Sequence, residues 1–144
     1  MHTSGMLIAS YKDFSMPSWR WPHFKPWELA CRCPSPGCRG EYWHDPAFLD
    51  ALEALRVRVG KPLKINSGHR CAVRNHIAGG AARSRHRKIA VDINLRGHDR
   101  HELLAAAIDL GFTGIGRGRT FLRHDRRPIP ATWTYARADS AWQI

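Results

Sequence analysis

A single charged residue, Asp92, interrupts the run Ile89 to Asn94 (I-A-V-D-I-N), which otherwise reads as a buried strand. Stripping the hydration from a lone carboxylate is costly, so an apolar layer cannot hold Asp92 unpaired. A fold for this chain must therefore do one of two things. It must turn Asp92 to solvent on an edge strand, or it must bring a cation or a metal ion to it.

The elements around that strand can be read from caps and spacing. Asp45-Pro46 opens the clearest helix, because Asp caps an N-terminus and Pro fits the first helical position. Phe48, Leu52, Leu55 and Val59 then recur at helical spacing until Gly60. Asp99 opens a second helix, with Glu102 placed as in a capping box. Leu103, Leu104, Ile108 and Leu110 are its expected apolar face, and Gly111 its stop. Phe24 to Ala30 predicts a helical turn or two, and Ala72 to Ile77 a short helix ending at Gly79-Gly80. Strands are expected at Lys61 to Asn66, Ile89 to Asn94, Thr113 to Gly116, Thr120 to His124 and Trp133 to Tyr135. Helices and strands mix without strict βαβ alternation, so the expected class is α+β. Residues 1–18 lack periodicity and read as an arm. Residues 19–136 read as one domain that includes the Cys-rich loop 31–38, and residues 137–144 as a tail. The aromatic run Trp19 to Phe24 either anchors the arm in the core or forms a stacking platform for bases.

Charge narrows the partners. Among 144 residues there are 23 Lys and Arg against 12 Asp and Glu, a formal net charge of +11. Arg83, Arg85, Arg87 and Lys88 flank His86, while Arg117, Arg119, Arg123, Arg126 and Arg127 crowd the last strands. Such a distribution is either a solvated surface or a field that attracts a polyanion. The polyanion could be nucleic acid, an acidic cell wall or an anionic membrane surface, and no recognition-helix or zinc-finger pattern accompanies the charge. A hydrophobic content of 43% excludes a wholly disordered chain. The longest apolar run, Leu103 to Ile108, is six residues, far below the ~20 that span a bilayer. The apolar patch Met6 to Ala9 lacks a basic flank and a long hydrophobic region, so no signal peptide is expected. Nothing in the pattern sets an oligomeric state.

Four cysteines stand at Cys31, Cys33, Cys38 and Cys71, three of them within C-R-C-P-S-P-G-C. They fit either a structural zinc held by all four or thiols and disulfides that pin a loop. A reactive thiol fits less well, because no cysteine stands apart beside a base.

A metal at Asp92 would need imidazole partners. His86 precedes it after a Gly-Gly turn, and a His from a loop and an Asp from the next strand can meet on one ion. His98 and His101 flank a helix start. His124, in a predicted strand, is the natural third ligand, with water in the fourth position of a catalytic zinc.

Read together, S-G-H-R-C-A-x-x-N-H, G-G-A-x-x-S-x-H, A-x-D-I, G-F-x-G-I-G and F-L-x-x-D resemble the zinc peptidases of the D-Ala-D-Ala carboxypeptidase family. The chain is most similar to the small phage, prophage and gene-transfer-agent branch, over about residues 19–136. The resemblance implies a hedgehog-like α+β fold, a small antiparallel sheet flanked by helices. It implies zinc-dependent hydrolysis of peptidoglycan stem peptides or cross-links. The protein would be made in the bacterial cytoplasm and act at the cell wall or as a virion component. It maps zinc ligands to His86 and Asp92 and a general base to Asp125. Arg70 would hold the substrate carbonyl or carboxylate, with His69 where an aromatic residue is usual. Ser84 would orient the metal loop, and Asn75 belongs to the same surroundings.

Two departures from the family pattern bear on the metal. Five residues separate His86 from Asp92 where six are usual, and the intervening Gly is missing. In Phe121-Leu122-Arg123-His124-Asp125, Arg123 stands where the ligand His belongs. Side chains alternate along a strand, so Arg123 and Asp125 share a face and His124 takes the other. Either the strand bulges so that His124 reaches the metal, or the metal site is damaged and Arg123 pairs with Asp92 or Asp125. The second case describes a chain that binds peptidoglycan, or serves structurally, without turnover.

Overall fold

A computed structural model describes residues 5–33, 38–77 and 88–143. The main sheet has five strands: β3 (Ile65–Ser67), β4 (Val91–Asn94), β5 (Gly114–Arg117), β6 (Phe121–Asp125) and β7 (Ala131–Thr134). Their spatial order is β3-β4-β6-β5-β7. Every neighbouring pair is antiparallel except β5 with β7, which run parallel. The class is α+β, as expected. A smaller antiparallel ladder joins β1 (Met6–Ile8) to β2 (Tyr42–His44). Part of the segment read as an arm is thus tied down as a strand.

Two helices cover one face of the sheet. In α2 (Pro46–Val59), the Asp45 carboxylate accepts from the Phe48 N–H, and Gly60 closes the helix in the left-handed region at φ 69°. Phe48, Leu49, Leu52 and Leu55 form its buried stripe. In α4 (Arg100–Asp109), the Asp99 carboxylate accepts from the N–H groups of His101 and Glu102. Its buried residues are Leu103, Ala106 and Ala107 rather than the longer aliphatics. Ile108, expected on that face, is exposed, because the buried stripe follows positions three and four beyond Leu103. Against these helices the sheet presents Val91, Ile93, Ile115 and Leu122, all buried.

Two shorter helices, α1 (Pro26–Leu29) and α3 (Ala72–Ile77), form where the local pattern predicted them. The strand expected over Lys61 to Asn66 begins only at Ile65. Pro62 has no N–H for a ladder bond, and it delays the pairing. The strand runs one residue past the expected end, to Ser67.

The aromatic run near the N-terminus is a core anchor, and the stacking-platform alternative is set aside. Trp21 and Phe24 are buried. The Trp19 indole donates to the carbonyls of Trp21 and Phe24, and that of Trp21 to Asp50. At the other end, α5 (Asp139–Trp142) buries Trp142, whose indole donates to the Gly118 carbonyl at 2.7 Å. Among the described residues, no helix is long and apolar enough to cross a membrane.

Candidate functional site

The face of the sheet away from α2 and α4 carries the polar residues. On β4, Val91 and Ile93 enter the core, so Asp92 and Asn94 take the opposite face. The ladder places Arg123 of β6 directly across from Asp92, and Ser67 of β3 on its other side. On β5, Gly116 stands across from Arg123 and Gly114 across from Asp125. Both glycines make room. A Cβ on Gly114 would lie 1.9 Å from Asp125 Oδ1, and one on Gly116 would meet the rings of Tyr135 and Trp133. The G-I-G pattern thus opens the sheet surface for a carboxylate and two aromatics.

Arg70 reaches this face from the turn after β3. Its guanidinium lies 3.6 Å from the Asp92 carboxylate. Burial lowers its pKa and the nearby Arg123 adds to that, while Asp92 opposes both. Arg70 also donates from Nε to Ser67 Oγ at 3.4 Å. The turn is held from below. Gly68 packs so tightly on α1 that a Cβ would sit 2.5 Å from the Leu29 carbonyl oxygen. The His69 N–H donates to that same carbonyl at 2.8 Å. His69 itself is buried, with Nδ1 at 2.6 Å from the Lys88 carbonyl and Nε2 at 2.8 Å from Glu41. Both neighbours are hydrogen-bond acceptors. His69 therefore braces the turn from inside and does not line the open face.

Asp125 is fully buried and gripped by Arg127. The Arg127 guanidinium donates to its two oxygens at 2.9 and 2.6 Å, and the Arg127 backbone N–H adds a third bond at 3.1 Å. Burial alone would raise the Asp125 pKa. The bonds and charge of Arg127, with help from Arg123, overcome it and hold the carboxyl below its ordinary value. Arg123 also lies 3.5 Å from Asp125, and both guanidiniums lie over the Trp133 ring, at 5.5 Å for Arg123 and 4.7 Å for Arg127. The buried Nε of Arg123 has no hydrogen-bond partner among the described residues.

His124 is not brought to Asp92. Strand β6 pairs residue for residue with β4 and with β5, so the bulge that would have rotated it is absent. His124 enters the core with zero exposure, its ring edge-on to Phe112, which packs in turn on Phe48. Among the described residues, neither ring nitrogen has a hydrogen-bond partner of normal geometry. Burial pushes its pKa down to about 4, only partly offset by the Leu122 backbone and the charges of Asp92 and Asp125. The structure thus places His124, expected as the third zinc ligand, on the face of the sheet opposite Asp92. Continuous register keeps strand alternation intact, and alternation sends it to the apolar side.

Ser84 and His86 lie outside the described residues. Asn75 is buried on α3 behind the Arg70 turn. Three participants were not singled out from sequence: Glu41, Arg127 and Trp133. Period-two alternation could have found Trp133, through its pairing with Gly116. Nothing local marks Glu41, which meets His69 across 28 positions.

The described residues do not suit a catalytic zinc. They offer Asp92, which faces two guanidiniums, and Asp125, which Arg127 occupies, but no imidazole on that face. Arginine cannot ligate a cation and repels one. The His, Cys and carboxylate groups that do converge for a metal, among the described residues, are Cys31, Cys33, Cys38 and Cys71. Their thiols are not joined to one another.

A family model described as Peptidase M15 matches residues 22–124. That span includes α1, both covering helices, and β4 through most of β6. No curated protein matches the chain.

Proposed function

This chain belongs to the Peptidase M15 family, whose zinc-dependent peptidases act on peptidoglycan, and we propose that it recognises the carboxylate-bearing stem peptide of peptidoglycan with its hydrolytic step impaired. The observation that carries this reading is the cross-strand pairing of Arg123 with Asp92. A guanidinium stands beside the carboxylate that the family resemblance assigns to the metal.

What the face offers a ligand is charge and a flat aromatic wall. Arg70 and Arg123 present partly buried guanidiniums, with side-chain exposures of 18% and 12%. A guanidinium forks onto a carboxylate by two parallel bonds, and low exposure strengthens them. Trp133 backs Arg123 and Arg127 and limits where a peptide can lie. Asp125 keeps Arg127 in place, so its first role is to order the cationic face.

A second reading has a specific observation behind it, the family match itself. In that reading the chain is a competent zinc peptidase. His86 and Asp92 are ligands, Ser84 orients their loop, Asp125 takes the proton from water and Arg70 holds the substrate. The bond cleaved and a phage or virion setting belong to the same reading.

One experiment separates the two. Purified protein is incubated with isolated sacculi, and pelleting and released peptides are measured together, beside Arg123→His. The proposal expects wild type to pellet with sacculi and release no peptide, and the variant to gain release. Peptide release by wild type, abolished in His86→Ala, would establish the competent peptidase instead. Failure of wild type to pellet or to release peptide would reject both.

A further inference from the structure

We propose that Cys31, Cys33, Cys38 and Cys71 bind a structural zinc ion that fastens the Arg70 turn to the chain between α1 and β2. The four sulfurs all lie within 4.8 Å of one another, and Cys33 Sγ is 3.5 Å from Cys71 Sγ. In a zinc tetrathiolate the Zn–S bonds are about 2.3 Å, which sets neighbouring sulfurs about 3.8 Å apart. The cluster approaches those dimensions with no ion imposed on it. Four thiols meeting at one point also differ from two disulfides, each of which needs its own pair at about 2.05 Å.

The surroundings suit thiolates. The Arg74 backbone N–H donates to Cys71 Sγ at 3.4 Å. The backbone N–H groups of Cys33 and Cys71 reach the Cys31 thiol. The backbone N–H groups of Glu41 and Gly40 likewise point at the Cys38 thiol. Backbone donors aimed at sulfur form the outer shell that orients metal-bound thiolates. Cys31 and Cys71 are buried, which shields an ion from competing water.

The placement gives such an ion a structural task. Cys71 follows Arg70 directly, and the Cys31 N–H donates to the carbonyl of Glu41, the residue that braces His69. A four-sulfur clamp would thus close the same bracket that Gly68 and His69 close from the other side. Its ligands are spread over 40 positions of chain, from Cys31 to Cys71. Clamping them restricts the unfolded chain, so binding is coupled to folding.

The test uses the full chain. Zinc content is measured for wild type, for Asp92→Ala and for Cys33→Ser/Cys38→Ser. Cobalt(II) is then exchanged into the wild-type protein. The proposal expects a tightly bound zinc that persists in Asp92→Ala and is lost in the double cysteine variant. It expects the cobalt form to show the sulfur-to-metal charge transfer and visible bands of a tetrahedral tetrathiolate. The cobalt spectrum keeps the test decisive if the double variant does not fold. A wild-type mass lower by the hydrogens of one or two disulfides, or a cobalt spectrum without sulfur bands, would overturn the proposal.

Discussion

Arg123 and Asp92 face each other across the ladder between β4 and β6, on the side of the sheet away from the helices. The Arg70 guanidinium lies 3.6 Å from the Asp92 carboxylate, while that of Arg123 turns to Asp125 at 3.5 Å. Arg70, Arg123 and Arg127 stand against Asp92 and Asp125, so among the described residues that face keeps positive charge in excess.

That excess predicts how the face binds. Arg70→Ala should weaken pelleting with sacculi by roughly 10- to 100-fold, the effect of losing a charge-assisted pair worth about 1.5–3 kcal/mol. The thermal unfolding temperature of the variant should fall as well, because the partly buried Asp92 loses its 3.6 Å ion pair with Arg70. Unchanged sacculus affinity in Arg70→Ala would remove Arg70 from the binding face.

The Asp125–Arg127 pair predicts a stability loss of a different size. Asp125→Asn leaves the Arg127 fork without its counter-charge in a fully buried position, and should cost about 3–5 kcal/mol in denaturant titration. The pH dependence follows from the lowered pKa of Asp125. Its contribution is complete above the unfolded carboxyl pKa and fades as pH falls through the folded value, and the variant should lack that part of the acid profile.

His124 predicts a second acid sensitivity at higher pH. Its pKa is 6.5 unfolded and about 4 folded, so between those values the unfolded chain binds a proton that the native chain refuses. Stability is therefore intact above pH 6.5 and declines as pH falls towards 4, by roughly 3 kcal/mol in total. His124→Leu should flatten that limb of the stability curve. An unchanged slope in the variant would show that the ring is charged in the native core.

Two glycine substitutions separate crowding from backbone preference. Gly68→Ala places a methyl 2.5 Å from the Leu29 carbonyl, which is backbone and cannot step aside. Several kcal/mol of destabilisation and a displaced Arg70 are expected. Gly60→Ala meets nothing within 4 Å and suffers only the left-handed φ of 69°, a cost of about 1 kcal/mol. Paired thermal melts of the two variants check the ranking.

Much of the architecture was legible before any coordinates. Asp45 and Asp99 cap the helices they were expected to cap, because capping is a local contest for a few N–H groups. Strand β4 was visible in its apolar alternation. Local pattern failed where position was settled elsewhere. Nothing near Met6 to Ile8 announces a strand, because its partner lies at Tyr42 to His44. Ile108 looked like core and is exposed, because α4 turns its alanines to α2 and the sheet.

The sequence by itself determined the capped helices, the α+β class, the local run of three cysteines and the requirement that Asp92 meet either solvent or a cation. Those properties depend on neighbours a few positions apart. Only the tertiary structure decided which cation that is, and that His124 lies buried on the other side of the sheet. A strand's faces follow from its register with two partners. A shift of one residue would have exchanged Arg123 for His124, and no local signal says whether that shift occurs. The same holds for the four thiols, whose meeting depends on a turn after β3 folding back onto α1 through contacts that span nearly 40 residues.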